Sequence, residues 1–253
     1  MIRVLMHGCN GEMGHVVTQL CTEDPELTIV EGVSLETDID MGYPVVSSCD
    51  QLSQEADVII DFSGASAIDA LLDYAVSKKL PLVLCSTGLS EAQLSKVEDA
   101  YQEIPVLKSA NMSLGINLLM ELVKKASSVL APAGFDIEIV EKHHNQKLDA
   151  PSGTAVSLAD SINEEMGGAY EYVYDRSDRR QKRDKKELGI SAVRGGTIVG
   201  EHEIIFAGTD EVVTLQHTAY SRSIFAKGAV SAAKYLVGKA PGHYEMADVI
   251  RGV

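Results

Sequence analysis

Short apolar runs alternate with longer amphipathic stretches through the first part of the chain, up to about residue 110. This alternation is typical of βα units around a parallel sheet. The predicted strands are Ile2–His7, Leu27–Val33, Val58–Phe62, Leu82–Cys85 and Val106–Ser109. The predicted helices are Glu12–Cys21, Ala65–Ser77 and Ala92–Tyr101. Ser90 and Gln93 have the spacing of a capping box before the last of these helices.

The pattern changes after Asn111. Two further helices are predicted over Leu114–Leu130 and Ala155–Met166, and an alanine-rich helix over Ile224–Val237 can pack back on the first domain. The late strands, which we expect to form a second, mixed sheet, are Asp136–Val140, Ile190–Val193, Glu203–Ala207 and Val212–Ala219. The predicted fold class is α/β, with a parallel-sheet domain of residues 1–112 and 222–253 and a mixed α+β domain of residues 113–221.

The charge balance narrows the possible partners. The chain has 253 residues, with 22 Lys and Arg against 37 Asp and Glu, so its formal net charge is −15. Nucleic acid is not an expected partner, because that affinity depends on many basic contacts. A membrane is not expected either, since runs such as Val58–Ile60 are far below the roughly 20 apolar residues that a spanning helix needs. The N-terminal segment does not have the pattern of a secretion signal, so we expect a cytoplasmic protein with reduced thiols.

One segment reverses the acidic average. From Asp175 to Lys186 the chain holds seven basic residues and three acidic ones. It can be a solvated loop, or a mobile basic lid whose local field draws in an anionic ligand. The sequence leaves both interpretations open.

The first predicted strand leads directly into a glycine-rich turn, Gly8-Cys9-Asn10-Gly11-Glu12-Met13-Gly14, and then into a helix. Glycine lets the backbone turn tightly and approach a pyrophosphate, whose charge meets the unpaired N–H groups at the helix start. The spacing is G-x-x-G-x-x-G instead of G-x-G-x-x-G, so an ordinary βα turn is the alternative. Glu36, 22 residues after Gly14, can accept hydrogen bonds from an adenosine ribose; Glu31 also lies in range but falls inside an apolar run.

Small polar residues follow the fourth and fifth predicted strands. The segments Cys85-Ser86-Thr87 and Ser109-Ala110-Asn111-Met112 lie at the carboxyl edge, where open α/β sheets bind ligands. They either line a nicotinamide pocket or form two ordinary loops.

A second polar segment runs from Glu141 to Thr154. Two histidines and two lysines form a local cationic site there, and Ser152-Gly153-Thr154 opens the next helix with hydroxyl and N–H groups that suit a carboxylate. Histidine exchanges protons near neutral pH, and a lysine ammonium can supply a proton, so the segment favours acid/base chemistry on a dianionic substrate. A structural role for one histidine is the alternative. No metal is expected, because His143 and His144 would point to opposite sides of a strand and no third ligand has suitable spacing.

Five motifs, in order over nearly the whole chain, resemble those of the dihydrodipicolinate reductase family. They are HGCNGEMG at the glycine turn, STG at Ser86–Gly88, SANMSLGINLL at Ser109–Leu119, EKHHNQKLDAPSGTA at Glu141–Ala155 and RGGTIVGEHEIIFAG at Arg194–Gly208. The HH-x-x-K-x-DAPSGT stretch is highly specific. The resemblance implies a homotetrameric enzyme of lysine and diaminopimelate biosynthesis, with a Rossmann-type domain for NAD(P)H and a mixed α+β domain for substrate and oligomer formation. The implied reaction reduces a dihydrodipicolinate-type cyclic dicarboxylate to tetrahydrodipicolinate.

The resemblance also implies roles for individual residues. His143 would be the acid/base catalyst, with Lys147 as its proton-donating partner. The substrate contacts would be His144, Lys147, Ser152, Gly153 and Thr154. The cofactor contacts would be Gly8, Cys9, Asn10, Gly11, Glu12, Met13, Glu36, Cys85, Ser86, Thr87, Ser109, Ala110, Asn111 and Met112.

Two positions bear on the choice of cofactor. Some family members carry basic residues after the first glycines and after the ribose-binding acid, whereas this chain has Glu12 and Thr37. We therefore predict a preference for NADH, with NADPH possible. Two other functions stay open: an amino-acid dehydrogenase on the same scaffold, which needs no second carboxylate site, and a non-catalytic NAD-sensing regulator, which has no need of His143 and Lys147.

Overall fold

The computed structural model describes residues 1 to 252 and divides into two compact units. The first unit comprises Met1–Ser113 and Ser223–Val253, and the second comprises Leu114–Arg222. Each boundary lies one residue beyond the position expected from the sequence.

The regular elements are numbered in chain order. The strands are β1 Ile2–His7, β2 Leu27–Val33, β3 Val45–Val46, β4 Val58–Asp61, β5 Leu82–Leu84, β6 Pro105–Leu107, β7 Asp136–His143, β8 Glu171–Val173, β9 Glu187–Arg194, β10 Gly200–Ala207, β11 Val212–Ala219 and β12 Gly242–Tyr244. The α-helices are α1 Glu12–Glu23, α2 Ile68–Lys78, α3 Glu91–Ala100, α4 Leu114–Leu130, α5 Gly153–Glu165, α6 Ser223–Leu236 and α7 Met246–Arg251.

The first unit is a seven-stranded sheet with the strand order β12-β6-β5-β4-β1-β2-β3, and all of its pairs are parallel. Successive residues of a strand point to opposite faces, so Val4 and Met6 enter one core and Leu5 enters another. Helices α1 and α6 cover the first core, while α2 and α3 cover the second. Burial on both faces explains why these strands read as continuous apolar runs.

The second unit is a mixed five-stranded sheet with the order β11-β10-β7-β9-β8. Strand β10 pairs antiparallel with β7 and β11, whereas β9 pairs parallel with β7 and β8. Burial alternates along β7, where Ile137 and Ile139 enter a core with residues of α4 and α5. The same alternation places Glu141 and His143 on the inward face at the carboxyl end of the strand.

These sheets confirm the predicted fold class. The short elements β3, β8, β12 and α7 were not predicted, because two to six residues show no periodicity and these elements, unlike β5 and β6, do not lie in a run of four or more aliphatic and proline residues. Strand β7 continues to His143, three residues beyond the predicted end at Val140. The prediction ended too early because Glu141, a buried carboxylate, takes a position where an apolar residue is expected.

Gly228 of α6 tests the helix packing of the first unit. A Cβ atom there would lie 1.6 Å from the carbonyl oxygen of Met112. We expect Gly228→Ala to lower the free energy of unfolding by about 1–3 kcal/mol, as overpacking does in closely packed cores. Lys227→Ala, at an exposed position on the same helix, should change it by less than about 0.5 kcal/mol. Equal urea midpoints for the two variants would contradict this packing.

Candidate functional site

The glycine turn between β1 and α1 brings backbone very close to backbone. Gly8 has a φ of +82°, and a Cβ there would lie 2.7 Å from the carbonyl group of Phe62. At Gly14 a Cβ would lie 2.3 Å from the carbonyl oxygen of Cys9. Gly11 is the N-cap of α1, so no side chain covers the N–H groups of its first turn. This arrangement fits a phosphate group.

A cleft of about 510 Å³ opens beside this turn. Of the predicted cofactor residues, it brings together Gly8, Asn10, Gly11 and Glu36. Asn10 Nδ2 donates to Glu36 Oε2 at 3.1 Å, which orients the carboxylate. The other residues that line the cleft are His7, Val33, Ser34, Leu35, Ser47, Ser48, Cys49, Phe62, Ser63, Gly64, Ser66, Ala67 and Ala70. This lining, within the described part of the chain, includes no Lys or Arg.

The remaining predicted cofactor residues lie elsewhere along the edge of the sheet. Cys9 and Met112 are buried in the core, so they would face a ligand through backbone atoms. Met13 is half-buried and packs against the same core. Glu12 is exposed in the first turn of α1. The segments 85–87 and 109–111 follow β5 and β6 and do not line the cleft.

Glu31 has a structural role. Its buried carboxylate accepts hydrogen bonds from the backbone N–H groups of Ser53, at 2.9 Å, and Gln54, at 3.0 Å. It therefore secures the segment before β4, which leaves Glu36 as the carboxylate of the cleft.

A buried ion pair, His7 with Asp61, joins the ends of β1 and β4 and was not predicted from the sequence. His7 Nδ1 lies 2.7 Å from Asp61 Oδ1, which also accepts from Ser63 Oγ at 2.6 Å. Burial alone would lower the pKa of His7, but its hydrogen bonds to Asp61 and Cys49 raise the pKa to about 9. The pKa of Asp61 is lowered, since these hydrogen bonds outweigh the cost of burial. The sequence signal that could have indicated this pair is Asp61, an acid at the end of the apolar run Val58–Ile60.

The polar centre of the second unit is the carboxylate of Glu141, which is fully buried. Arg194 holds it with two hydrogen bonds of 2.7 Å, one to each oxygen. The backbone N–H of Ser152 donates to Oε1 at 3.0 Å, and His143 Nδ1 lies 2.6 Å from Oε2. Burial alone would raise the pKa of Glu141, but these donors lower it below its ordinary value. Arg194 was not among the predicted site residues.

The His143 ring is fixed from several sides. Its pKa is lowered, because burial and the positive charges of Lys147 and Arg194 outweigh the support from Glu141. The His202 ring meets it edge to face, with centroids 5.1 Å apart. Burial lowers the pKa of His202 to about 4, and its Nε2 lies 3.0 Å from Ser152 Oγ. Two histidines and a serine thus form one buried polar group.

Ser152 lies beneath the predicted substrate site. Its hydroxyl caps α5 by accepting from the N–H of Ala155 at 3.2 Å and also contacts His202, while its backbone N–H binds Glu141. The side chain is only 2% exposed. These contacts make Ser152 a supporting residue, and its contact with substrate stays a prediction.

The other predicted substrate residues lie in the segment between the end of β7 and the first turn of α5. Gly153 is its first residue and is exposed, and Thr154 follows it. Lys147 Nζ pairs with Asp149 at 2.9 Å, in the loop between β7 and α5. His144 lies just beyond β7 and is half-buried.

The basic segment from Asp175 to Lys186 matches neither interpretation fully. Arg176 binds Glu138 at 2.8 Å, and Arg179 binds Glu187 at 2.7 Å. Arg183 Nη2 also lies 3.1 Å from Glu138. Three arginines therefore anchor the segment to β7 and β9, although its lysines are largely exposed.

Within residues 1 to 252, no group of three or more His, Cys, Asp or Glu side chains is arranged to hold a metal ion. No helix in this part of the chain combines the length and apolar character needed to cross a membrane.

Comparisons with known proteins agree along the whole chain. The family model described as dihydrodipicolinate reductase, N-terminus, matches residues 2–112, and the C-terminus model matches residues 115–250. A 4-hydroxy-tetrahydrodipicolinate reductase of Caldanaerobacter subterraneus subsp. tengcongensis is 53% identical over 99% of both chains. The enzyme of the same name from Clostridium tetani is 46% identical over 97% of this chain and 96% of its own.

One solved structure has the same fold over nearly its full length. A dipicolinate-bound dihydrodipicolinate reductase from Paenisporosarcina sp. TG-14 superposes with a TM-score of 0.81 and covers 97% of both chains. At 22% sequence identity, this likeness bears on the fold alone.

The His7–Asp61 pair predicts an unusual titration. We expect the NMR signals of the His7 ring to titrate near pH 9, and Asp61→Asn to lower that midpoint because it removes the negative partner. Since the pKa is raised by folding, the pair stabilises the fold fully below about pH 6.5, and this stability is lost as the pH rises through about 9. A midpoint below 7 in the unmodified protein would contradict the pair.

Proposed function

The chain belongs to the dihydrodipicolinate reductase family, a family of oxidoreductases, and on this premise we propose that it uses NAD(P)H to reduce a dihydrodipicolinate-type cyclic dicarboxylate to tetrahydrodipicolinate. The observation that carries this proposal is the grouping in the second unit. A histidine fixed on a buried carboxylate lies in the same loop region as the Lys147 ammonium and a helix start that suits carboxylates. The reaction would serve lysine and diaminopimelate biosynthesis.

The two units would divide the work. The first unit would bind the nicotinamide cofactor, and the second would bind the substrate and form the oligomer. In the first unit, the close backbone approaches at Gly8 and Gly14 and the cleft beside them fit a dinucleotide. The N–H groups at the start of α1 would meet the pyrophosphate, and Glu36 would accept from the adenosine ribose. Residues 85–87 and 109–112 would lie toward the nicotinamide end.

The second unit would supply protons and anion contacts. When bound, the reduced nicotinamide supplies a hydride. His143 or Lys147 would donate the proton that balances the charge developing on the conjugated ring. His144, Lys147 and the N–H groups of Gly153 and Thr154 would hold the two substrate carboxylates.

We also propose a homotetramer. The outward face of the five-stranded sheet carries exposed apolar side chains, among them Val193 and Val212, which are 44% and 60% exposed in the single chain, beside ion-paired residues such as Lys142 and Glu201. Packing of this face against other copies would remove that surface from water. A cytoplasmic location stays a prediction from the sequence.

The activity has a direct test. We expect rapid NADH oxidation with the freshly made product of dihydrodipicolinate synthase, but not with pyruvate plus ammonia or without substrate. His143→Ala should lower kcat on the order of 10²-fold, because general acid/base catalysis contributes about that much. Turnover with pyruvate and ammonia alone would favour an amino-acid dehydrogenase. The absence of turnover with every substrate tested would favour a sensor. Near-normal kcat in His143→Ala would remove the assigned role.

The cleft predicts a preference for NADH. Glu36 lines it, and Asp38 is exposed just beyond. Among the described residues the lining includes no Lys or Arg, and the charge of His7 is already paired with Asp61, so a 2′-phosphate would meet the two exposed carboxylates. A repulsion of about 1.4 kcal/mol gives a tenfold lower KM for NADH than for NADPH.

Thr37→Arg should shift the ratio of the two KM values toward NADPH. Thr22→Arg adds the same charge to an exposed position of α1, about 15 Å along the helix from Glu12, and should leave the ratio near its original value. A lower KM for NADPH in the unmodified enzyme would overturn this assignment.

A further inference from the structure

The carboxylate of Glu141 has no acceptor capacity left for a ligand. Its two oxygens receive four donors: both terminal nitrogens of Arg194, the backbone N–H of Ser152 and Nδ1 of His143. Four charge-assisted contacts at 2.6 to 3.0 Å keep the group ionised although it is fully buried. Glu141 therefore acts on its neighbours and not on substrate.

An ionised carboxylate can only accept hydrogen bonds, so His143 must carry its proton on Nδ1. The second nitrogen, Nε2, then has the free lone pair of the neutral ring. Gly200 of β10 keeps space next to that nitrogen, since a Cβ there would lie 3.2 Å from Nε2. The geometry thus makes Nε2 the nitrogen that exchanges protons.

Charged and titratable groups face the His143 ring from each neighbouring strand and from the loop after β7. Glu141 precedes it on β7, Arg194 lies opposite it in register on β9, and Lys147 lies in the loop. His202 lies on β10 and faces His217 on β11 in register. Glu141 favours the protonated ring, whereas Lys147, Arg194 and burial disfavour it. The two other histidines have lowered pKa values and add no charge near neutral pH.

We infer that Glu141 is a positioning residue that fixes the tautomer of His143, and that Arg194, by binding both oxygens of Glu141, sets the pH range in which His143 can donate a proton. This inference rests on the proposed role of His143. Arg194 shares the negative charge of Glu141, which weakens the support that the carboxylate gives to the protonated ring. Glu141 and Arg194 therefore act on His143 in opposite directions.

The opposite signs provide the test. The readouts are the pH profile of kcat/KM for NADH-dependent reduction and the NMR titration of His143. Glu141→Gln should move the pH profile and the NMR midpoint of His143 to lower pH by about one unit, because it removes the negative charge beside the ring. Arg194→Gln should move both to higher pH by about half a unit, because it removes a cation. Arg180→Gln, which removes an exposed arginine, should leave both in place.

A merely structural role for the pair would lower activity or stability without opposite shifts, and shifts of the same sign, or none, would overturn the inference. Should Glu141→Gln fail to fold, the unmodified protein still gives a decision. In ¹⁵N-histidine NMR at pH 8, we expect His143 to be protonated at Nδ1 and unprotonated at Nε2, and the reverse tautomer would refute the assignment. Because the titration needs no substrate, a failed activity assay would remove the proposed function without deciding this inference.

Discussion

The buried carboxylate of Glu141 is the contact on which the polar site of the second unit depends. A lone carboxylate in that position would be too costly, so its donors must come from the surrounding elements. They come from β7 itself, from Arg194 on β9 and from the first residue before α5. One charge therefore fixes the orientation of a ring, the start of a helix and the end of a parallel strand pair. A shift of one residue in the register of β7 would turn Glu141 and His143 to the outward face.

The molecule contains two histidine–carboxylate pairs with opposite properties. Asp61 has His7 and neutral serine hydroxyls as partners, so its charge acts largely on the histidine, whose pKa rises to about 9. Glu141 is shared with an arginine, and the pKa of His143 is lowered. The same two functional groups thus give a histidine that holds its proton in the first unit and a histidine that releases it more readily in the second. Burial lowers the pKa of both rings, and the neighbouring groups make the difference. Lys147 and Arg194 lower the pKa of His143 further, whereas Asp61 and Cys49 raise that of His7.

The sequence predicted the long elements because their periodicity is strong. The range of α4, Leu114–Leu130, and that of β11, Val212–Ala219, agree with the structure residue for residue. The sequence also predicted polar site residues that lie within a few positions of one another in the chain, such as His143 and Lys147. It did not predict contacts between residues that only strand pairing brings close together. Arg194 lies 53 positions from Glu141, and Asp61 lies 54 positions from His7. Such contacts depend on strand register, which a single sequence does not display.

The distribution of cations along the chain also explains the charge of the cleft in the first unit. The densest basic segment lies in the second unit, and three of its arginines neutralise Glu138 and Glu187 on neighbouring strands. Its positive charge is therefore largely compensated within that unit. The cleft of the first unit, as far as the chain is described, is lined by small, apolar and hydroxyl side chains, by His7, whose charge is paired with Asp61, and by one carboxylate, Glu36, held by Asn10. A carboxylate fixed in this way would accept from the hydroxyl groups of a ribose and repel an added phosphate, and this is the physical basis of the proposed preference for NADH.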